Sequence, residues 1–137
     1  MSEMPVEEPD RWILPLEGWT VERCVIDETF VVELKLGRRR ARVNVHGTFI
    51  LKTDRGSSKI QKSPLRSMAP ALELAGRVVE TAVALKDGRL DLKFRGGAAL
   101  SVKPDRGFEA WTVTTGPELT LVCEPGGRVA VWVPEEE

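Results

Sequence analysis

The chain has 137 residues, 42% hydrophobic and 30% charged, with a net charge of -1. That is the size of one domain, able to bury a core without metal or disulfide support. No apolar run approaches the ~18 residues of a membrane-spanning helix, and the opening MSEMPVEEPD is acidic where a secretory signal is basic and then apolar, so a cytoplasmic protein with no membrane partner is expected.

Residues 1–10 hold three glutamates, an aspartate and two prolines without periodicity, which predicts a disordered acidic tail. Order is expected from Arg11 to Val133, as a single β domain. The first half, 18–51, predicts strands at 20–26, 29–36 and 39–46, with turns at Asp27-Glu28 and Gly37 and a fourth strand at Thr48–Leu51. Lys52 to Ser63 is polar, basic and rich in Ser and Gly, the composition of a long mobile loop. A short helix follows at 67–75, with Ser67 as its cap, Pro70 in the first turn and Gly76 as its terminator.

The second half, 76–114, is the clearest stretch. Val79, Thr81, Val83 and Leu85 alternate, Lys86-Asp87-Gly88 turns, Leu90, Leu92 and Phe94 alternate again, and Arg95-Gly96-Gly97 leads into Ala98, Leu100 and Val102. Setting Gly18 on Gly76 aligns Val21 with Val79, Glu22 with Glu80, Val25 with Val83, Leu34 with Leu92 and Lys35 with Lys93. Two internally related meanders are therefore expected, each covering the apolar face of the other. A fourth strand at Phe108–Thr114 and a C-terminal hairpin at 118–133 complete a mainly β, antiparallel sandwich or partly open barrel of about ten strands, with one helix between the halves. Residues 134–137 read as a second acidic tail.

Charge is distributed unevenly. Residues 1–34 carry 2 basic and 9 acidic side chains, residues 35–66 carry 10 and 1, and residues 67–137 carry 8 and 11. Arg38, Arg40 and Arg42 share one strand face, and Lys52, Arg55, Lys59, Lys62 and Arg66 extend the basic character into the loop. Cations on a rigid strand and a mobile flap form a surface for an acidic protein or for nucleic acid, or a face neutralised by the acidic flanks. The lack of interleaved exposed aromatics, of a nucleic-acid motif and of overall basic charge weighs against nucleic acid.

Catalytic signals are sparse. His46 is the sole histidine, with no nucleophile or ligand cluster beside it, and a local hydrogen bond is its simpler role. Cys24 and Cys123 lie in separate strand-like runs and read as free buried thiols. The paired glycines occur in hairpin turns with no helix to follow, so no phosphate cradle is formed, and no metal or cofactor is expected. Glu109-Ala110-Trp111 is the most suggestive short motif. In a strand its acid and indole share a face, lining a small ligand pocket or weak active site, unless Trp111 packs in the core and Glu109 edges it.

The segments LPLEGWTVERCVID at 14–27, MAPALELAGRVVETAVALKDGRLDLKF at 68–94, FEAWTVT at 108–114 and PGGRVAVW at 125–132 together resemble a family of small proteins of unknown function from high-GC Gram-positive bacteria, over residues 12–133. The resemblance implies a coherent fold and transfers no activity, cofactor or catalytic residue. Relatives tend to carry tyrosine after the aspartate of the first turn, where this chain has Glu28 and no tyrosine anywhere. The function expected is a non-enzymatic protein-interaction module using the basic strand and loop, with immunity proteins of toxin systems as a fold-level analogy. The alternatives are a ligand binder or weak enzyme at Glu109 and Trp111, and nucleic-acid binding by the basic surface.

Overall fold

Strict apolar alternation with a glycine at each reversal builds antiparallel ladders, because a period of two puts every second side chain on one face. A computed structural model describes residues 4–61, 65–116 and 119–133. Its first half contains β1 (Val6–Glu7), β2 (Arg11–Ile13), β3 (Thr20–Ile26), β4 (Phe30–Leu36), β5 (Arg39–Val45), β6 (Phe49–Thr53) and β7 (Gly56–Ile60). A 3₁₀ helix (Leu65–Leu74) leads to β8 (Val79–Leu85), β9 (Leu90–Phe94), β10 (Ala99–Val102), β11 (Trp111–Thr115), β12 (Leu119–Cys123) and β13 (Val129–Trp132).

These strands form two antiparallel sheets and no closed barrel, the sandwich arrangement. One sheet runs β1-β2-β8-β9-β10-β6-β7 and the other β13-β12-β11-β5-β4-β3. Each meander hands its next strand to the opposite sheet. β6 leaves the first meander to pair with β10, and β11 leaves the second to pair with β5. The two sheets consequently follow the same order of chain segments. Where the meanders begin, their hydrogen bonds are reciprocal: Gly18 N–H donates to Val79 O and Gly76 N–H to Val21 O, both at 2.8 Å. Both glycines hold φ of 86°, where a Cβ is disfavoured, and both first strands bulge at the aligned glutamates Glu22 and Glu80.

Inward positions fill one core. Phe30, Val32, Leu34, Val43 and Trp111 come from one sheet, and Leu90, Leu92, Phe94, Leu100 and Leu51 from the other, all essentially inaccessible. Each such side chain contributes roughly 1.5–3 kcal/mol of burial. Phe30 and Phe49 stack across the two sheets with ring centroids 5.0 Å apart. The helix buries Met68, Ala71 and Leu74, a spacing of three that matches the three residues per turn of a 3₁₀ helix, and it packs against β3 and β7.

Four local readings change. Val6 and Glu7 are ordered as a strand paired with Trp12 and Ile13, held by a turn from Glu8 N–H to Arg11 O and by the Lys86–Glu7 ion pair. Their charges resemble those of a tail, but a short edge strand needs only backbone partners. Lys52–Ser63 is largely a hairpin: Asp54-Arg55 reverse the chain, Gly56 takes φ of 120°, and Ser57, Ser58 and Lys59 form an edge strand whose single apolar anchor, Ile60, left no alternation to read. Ser67 lies inside the helix, where its hydroxyl donates to Gln61 O at 2.7 Å and ties the helix to the end of β7. The fourth strand of the second half begins at Trp111, after an irregular crossover from Lys103 to Ala110. Residues 1–3, Lys62 to Pro64, Pro117, Glu118 and the tail at 134–137 lie outside the described residues.

Candidate partner-binding face

β5 buries Ala41, Val43 and Val45, so the alternate Arg40 and Arg42 project outward, with Arg38 in the preceding turn. Carboxylates stand among them. Arg40 Nε lies 3.2 Å from Glu22 Oε2, and Arg42 is in register with Glu33, which itself holds Arg23 at 3.1 Å. Arg39 turns the other way and stacks its guanidinium 5.0 Å from the Trp19 ring centroid.

The basic residues beyond β5 do not join this face. The connection His46–Thr48 carries the chain from one sheet to the other, and Lys52 in β6 alternates with the buried Leu51, so it points out of the opposite side of the sandwich. Lys59 follows it on β7, while Arg55 at the hairpin turn pairs with Glu73 at 3.1 Å. Arg66 is exposed on the helix, and Lys62 lies outside the described residues. The expectation of one continuous basic surface over 38–66 is therefore corrected, since proximity in sequence gives way to the crossover.

On the face that carries Lys52, the register brings together residues from five strands. One outward row runs Lys59, Ile50, Ser101, Asp91 and Val83; the next runs Ser57, Lys52, Ala99, Lys93 and Thr81. Because Ala99 and Ser101 are small, they leave a floor between the lysines. At one end of this floor is a cavity of about 460 Å³ bordered by Thr48, Ile50, Lys59, Lys103, Asp105 and Phe108, with Asp105 Oδ1 accepting from the Gly107 N–H at 2.7 Å. A neighbouring hollow of about 360 Å³ shares Ile50 and Ser101 and is edged by Lys52, Lys93 and Arg89. Asp91 is already engaged, by Arg89 at 3.2 Å and by the Ser101 hydroxyl at 2.7 Å. Among the described residues, Lys52, Lys59, Lys93 and Lys103 have no carboxylate partner. Two exposed apolar side chains sit among them, Ile50 at 38% and Phe108 at 52%.

Sequence reasoning missed Lys93, Lys103 and Phe108. Lys93 was legible as an outward position of its strand, but nothing in one chain's pattern says which strand becomes its neighbour. Phe108, expected at the start of a strand, is instead an exposed ring on the crossover.

Glu109 and Trp111 do not form a pocket. Trp111 is fully buried and its Nε1–H donates to Gly88 O at 2.8 Å, while Glu109 is exposed and precedes the strand, so the parity that would align them does not apply. Neither lines either of the two hollows on the lysine face. His46 is half-buried with Nε2 3.2 Å from the Thr112 hydroxyl. Both cysteines are free thiols: burial pushes Cys24 up to about 11, with Sγ 3.6 Å from Ala71 O, and burial also raises Cys123. Among the described residues no three His, Cys, Asp or Glu side chains gather as metal ligands, and no helix is long and apolar enough to cross a membrane.

The profile of a family of unknown function, DUF6188, matches residues 12–133, and the chain belongs to that family. No curated protein and no solved structure matches the chain.

Proposed function

We propose that this chain is a protein-interaction module of the bacterial cytoplasm whose partner is an acidic protein, docked on the lysine face built by β6, β7, β9, β10 and the crossover at 103–110. The observation that supports this reading is the contrast between the two outer faces. The arginines of β5 share their face with Glu22 and Glu33, and each exposed pair there contributes only ~0–1 kcal/mol while cancelling the outward field. Lys52, Lys59, Lys93 and Lys103 surround Ile50 and Phe108 without an ion-pair partner among the described residues, the two nearby carboxylates being engaged elsewhere, Asp91 by Arg89 and Ser101 and Asp105 by the Gly107 N–H, and the result is an apolar anchor inside a cationic rim. Such a rim steers an oppositely charged partner and fixes its register, and desolvated apolar contacts supply the affinity. The two free thiols fit a reducing compartment.

The test compares three tagged proteins as baits: the unaltered chain, the variant K52E/K59E/K93E/K103E, and the variant R38E/R42E as a control on the opposite face. The expected result is an acidic protein captured by the unaltered chain and the control, lost with the fourfold variant and weakened by salt. Loss in the arginine control with retention in the lysine variant would refute the choice of face. Binding abolished by nuclease would show nucleic acid as the partner instead.

A further inference from the structure

Each sheet has two edges, and an exposed edge strand offers unpaired N–H and C=O groups to another chain unless something blunts it. Three of the four edges are guarded. β1 is only two residues long and lies between Pro5 and Pro9 beside Glu7 and Glu8. β7 is polar, carries Lys59 and is packed by the 3₁₀ helix. β3 is broken by the bulge at Glu22, bears charges there and at Arg23, and meets the same helix. The fourth, β13, reads Val-Ala-Val-Trp with no charge, proline, glycine or bulge within it; it lies between Arg128 and Val133-Pro134 and is twice the length of β1, and Trp132 at its end and Val133 after it are 55% and 48% exposed.

We propose that β13 is a self-association edge, pairing antiparallel with β13 of a second copy so that two six-stranded sheets join into one. The phase of the ladder determines the register. Glu124 N–H donates to Arg128 O at 2.8 Å at the hairpin turn, so by alternation Ala130 and Trp132 spend their backbone groups on β12, and those of Val129, Val131 and Val133 face the open edge. A twofold pairing that uses these groups sets Val131 opposite the second copy's Val131, Val129 opposite Val133, and Ala130 opposite Trp132.

That register is complementary in shape on both faces. On the inner face, Val129 and Val131, which already pack against the core, meet the corresponding valines and continue the core across the junction. On the outer face each exposed indole falls beside the smallest residue of the facing strand, Ala130, so a large side chain meets a small one twice. Roughly six ladder hydrogen bonds form and Trp132 leaves water. A different protein offering a strand would gain the backbone bonds, but only a second copy supplies this reciprocal Trp–Ala fit. This edge is separate from the lysine face, and the two readings stand or fall independently.

Sedimentation velocity of the full chain, from micromolar to sub-millimolar concentration, tests the proposal. The expected result is a species with the mass of two chains for the unaltered protein and one chain for Trp132→Lys, with far-UV circular dichroism unchanged. As a second measurement, an equimolar mixture of A130C chains and W132C chains is oxidised. Across the junction the two substituted positions face each other in a non-hydrogen-bonded pair while the other Trp132–Ala130 contact is kept, so the mixture should cross-link into a covalent dimer, whereas A130C alone should not. A single-chain mass at the highest concentration overturns the proposal. So does a dimer that persists with Trp132→Lys while the mixture of A130C and W132C chains fails to cross-link, since the contact then lies elsewhere.

Discussion

Replacing Gly88 with alanine separates two costs that the structure allows to be measured apart. Gly88 and Gly97 both close hairpin turns at positive φ, 106° and 93° respectively. A Cβ at Gly97 would meet open space, whereas at Gly88 it would lie 2.6 Å from Gly127 Cα, 2.7 Å from Gly127 O and 2.8 Å from Pro104 Cβ. Gly97→Ala therefore carries only the conformational penalty, ~1–2 kcal/mol. Gly88→Ala adds a contact with backbone that cannot swing aside, and overpacking of that kind costs a further ~1–3 kcal/mol. Urea unfolding of both variants reads the difference directly, provided the dependence on denaturant is unchanged. The same junction holds the rim of the proposed binding face, since Gly126 N–H donates to Asp105 O at 2.8 Å and Pro104 lies where a Cβ on Gly88 or Gly127 would meet it. Gly88→Ala should thus also speed proteolysis at Arg106 in the crossover, while Gly97→Ala leaves it unchanged. Equal stability losses in the two variants would refute the close-approach argument.

Trp111→Phe should cost ~2–4 kcal/mol, because the buried Gly88 carbonyl loses its donor and the core loses volume; Glu109→Gln should stay within ~0.5 kcal/mol, and thermal unfolding of the two distinguishes a core residue from a site pair. Cys24 should react slowly with a thiol reagent at neutral pH in the folded chain and quickly in denaturant. Its folded-state value is raised from 9.0 to about 11, so the stability contributed by the neutral thiol is present below pH 9.0 and is lost as pH rises toward 11. The urea midpoint should fall across that window, and Cys24→Ala should flatten the slope.

Much of the architecture was legible because it rests on local rules. Val79 to Val102 could be read strand by strand, since alternation and the glycines at 88, 96 and 97 together determine both the faces and the reversals. The match of Gly18 with Gly76 anticipated positions that exchange equivalent hydrogen bonds. What escaped was non-local. β7 owes its order to pairing with β6 and to the Ser67–Gln61 contact, and a Gly-Ser-Ser-Lys run shows neither. The lysine face escaped for the same reason: Lys52 and Lys93 are 41 residues apart in the chain and come together only because Ala99 pairs with both. Glu109 and Trp111 failed as a site because parity holds inside a strand and stops at its first residue.

The two crossovers decide where the charge acts. Had the chain continued in its own sheet after β5, Lys52 would stand beside the arginines and within reach of the acids at Glu22 and Glu33. His46–Thr48 instead delivers β6 to the sheet whose nearest outward residues are Ala99 and Ser101, small and neutral, and the acid one strand further on, Asp91, is held by Arg89 and Ser101, so its lysines form no ion pair there. The corresponding crossover from Lys103 to Ala110 adds a cation and an exposed phenylalanine to the rim of the same hollow. Two sets of basic residues similar in number thus acquire different physical roles. One is largely cancelled at short range by interleaved acids, where ionic strength matters little to binding; the other projects an unscreened field that salt should suppress over a Debye length of about 8–10 Å. The salt sensitivity of partner capture therefore belongs to the lysine face, and a variant that moved carboxylates onto it, Ala99→Glu with Ser101→Glu, should abolish steering while leaving every lysine in place.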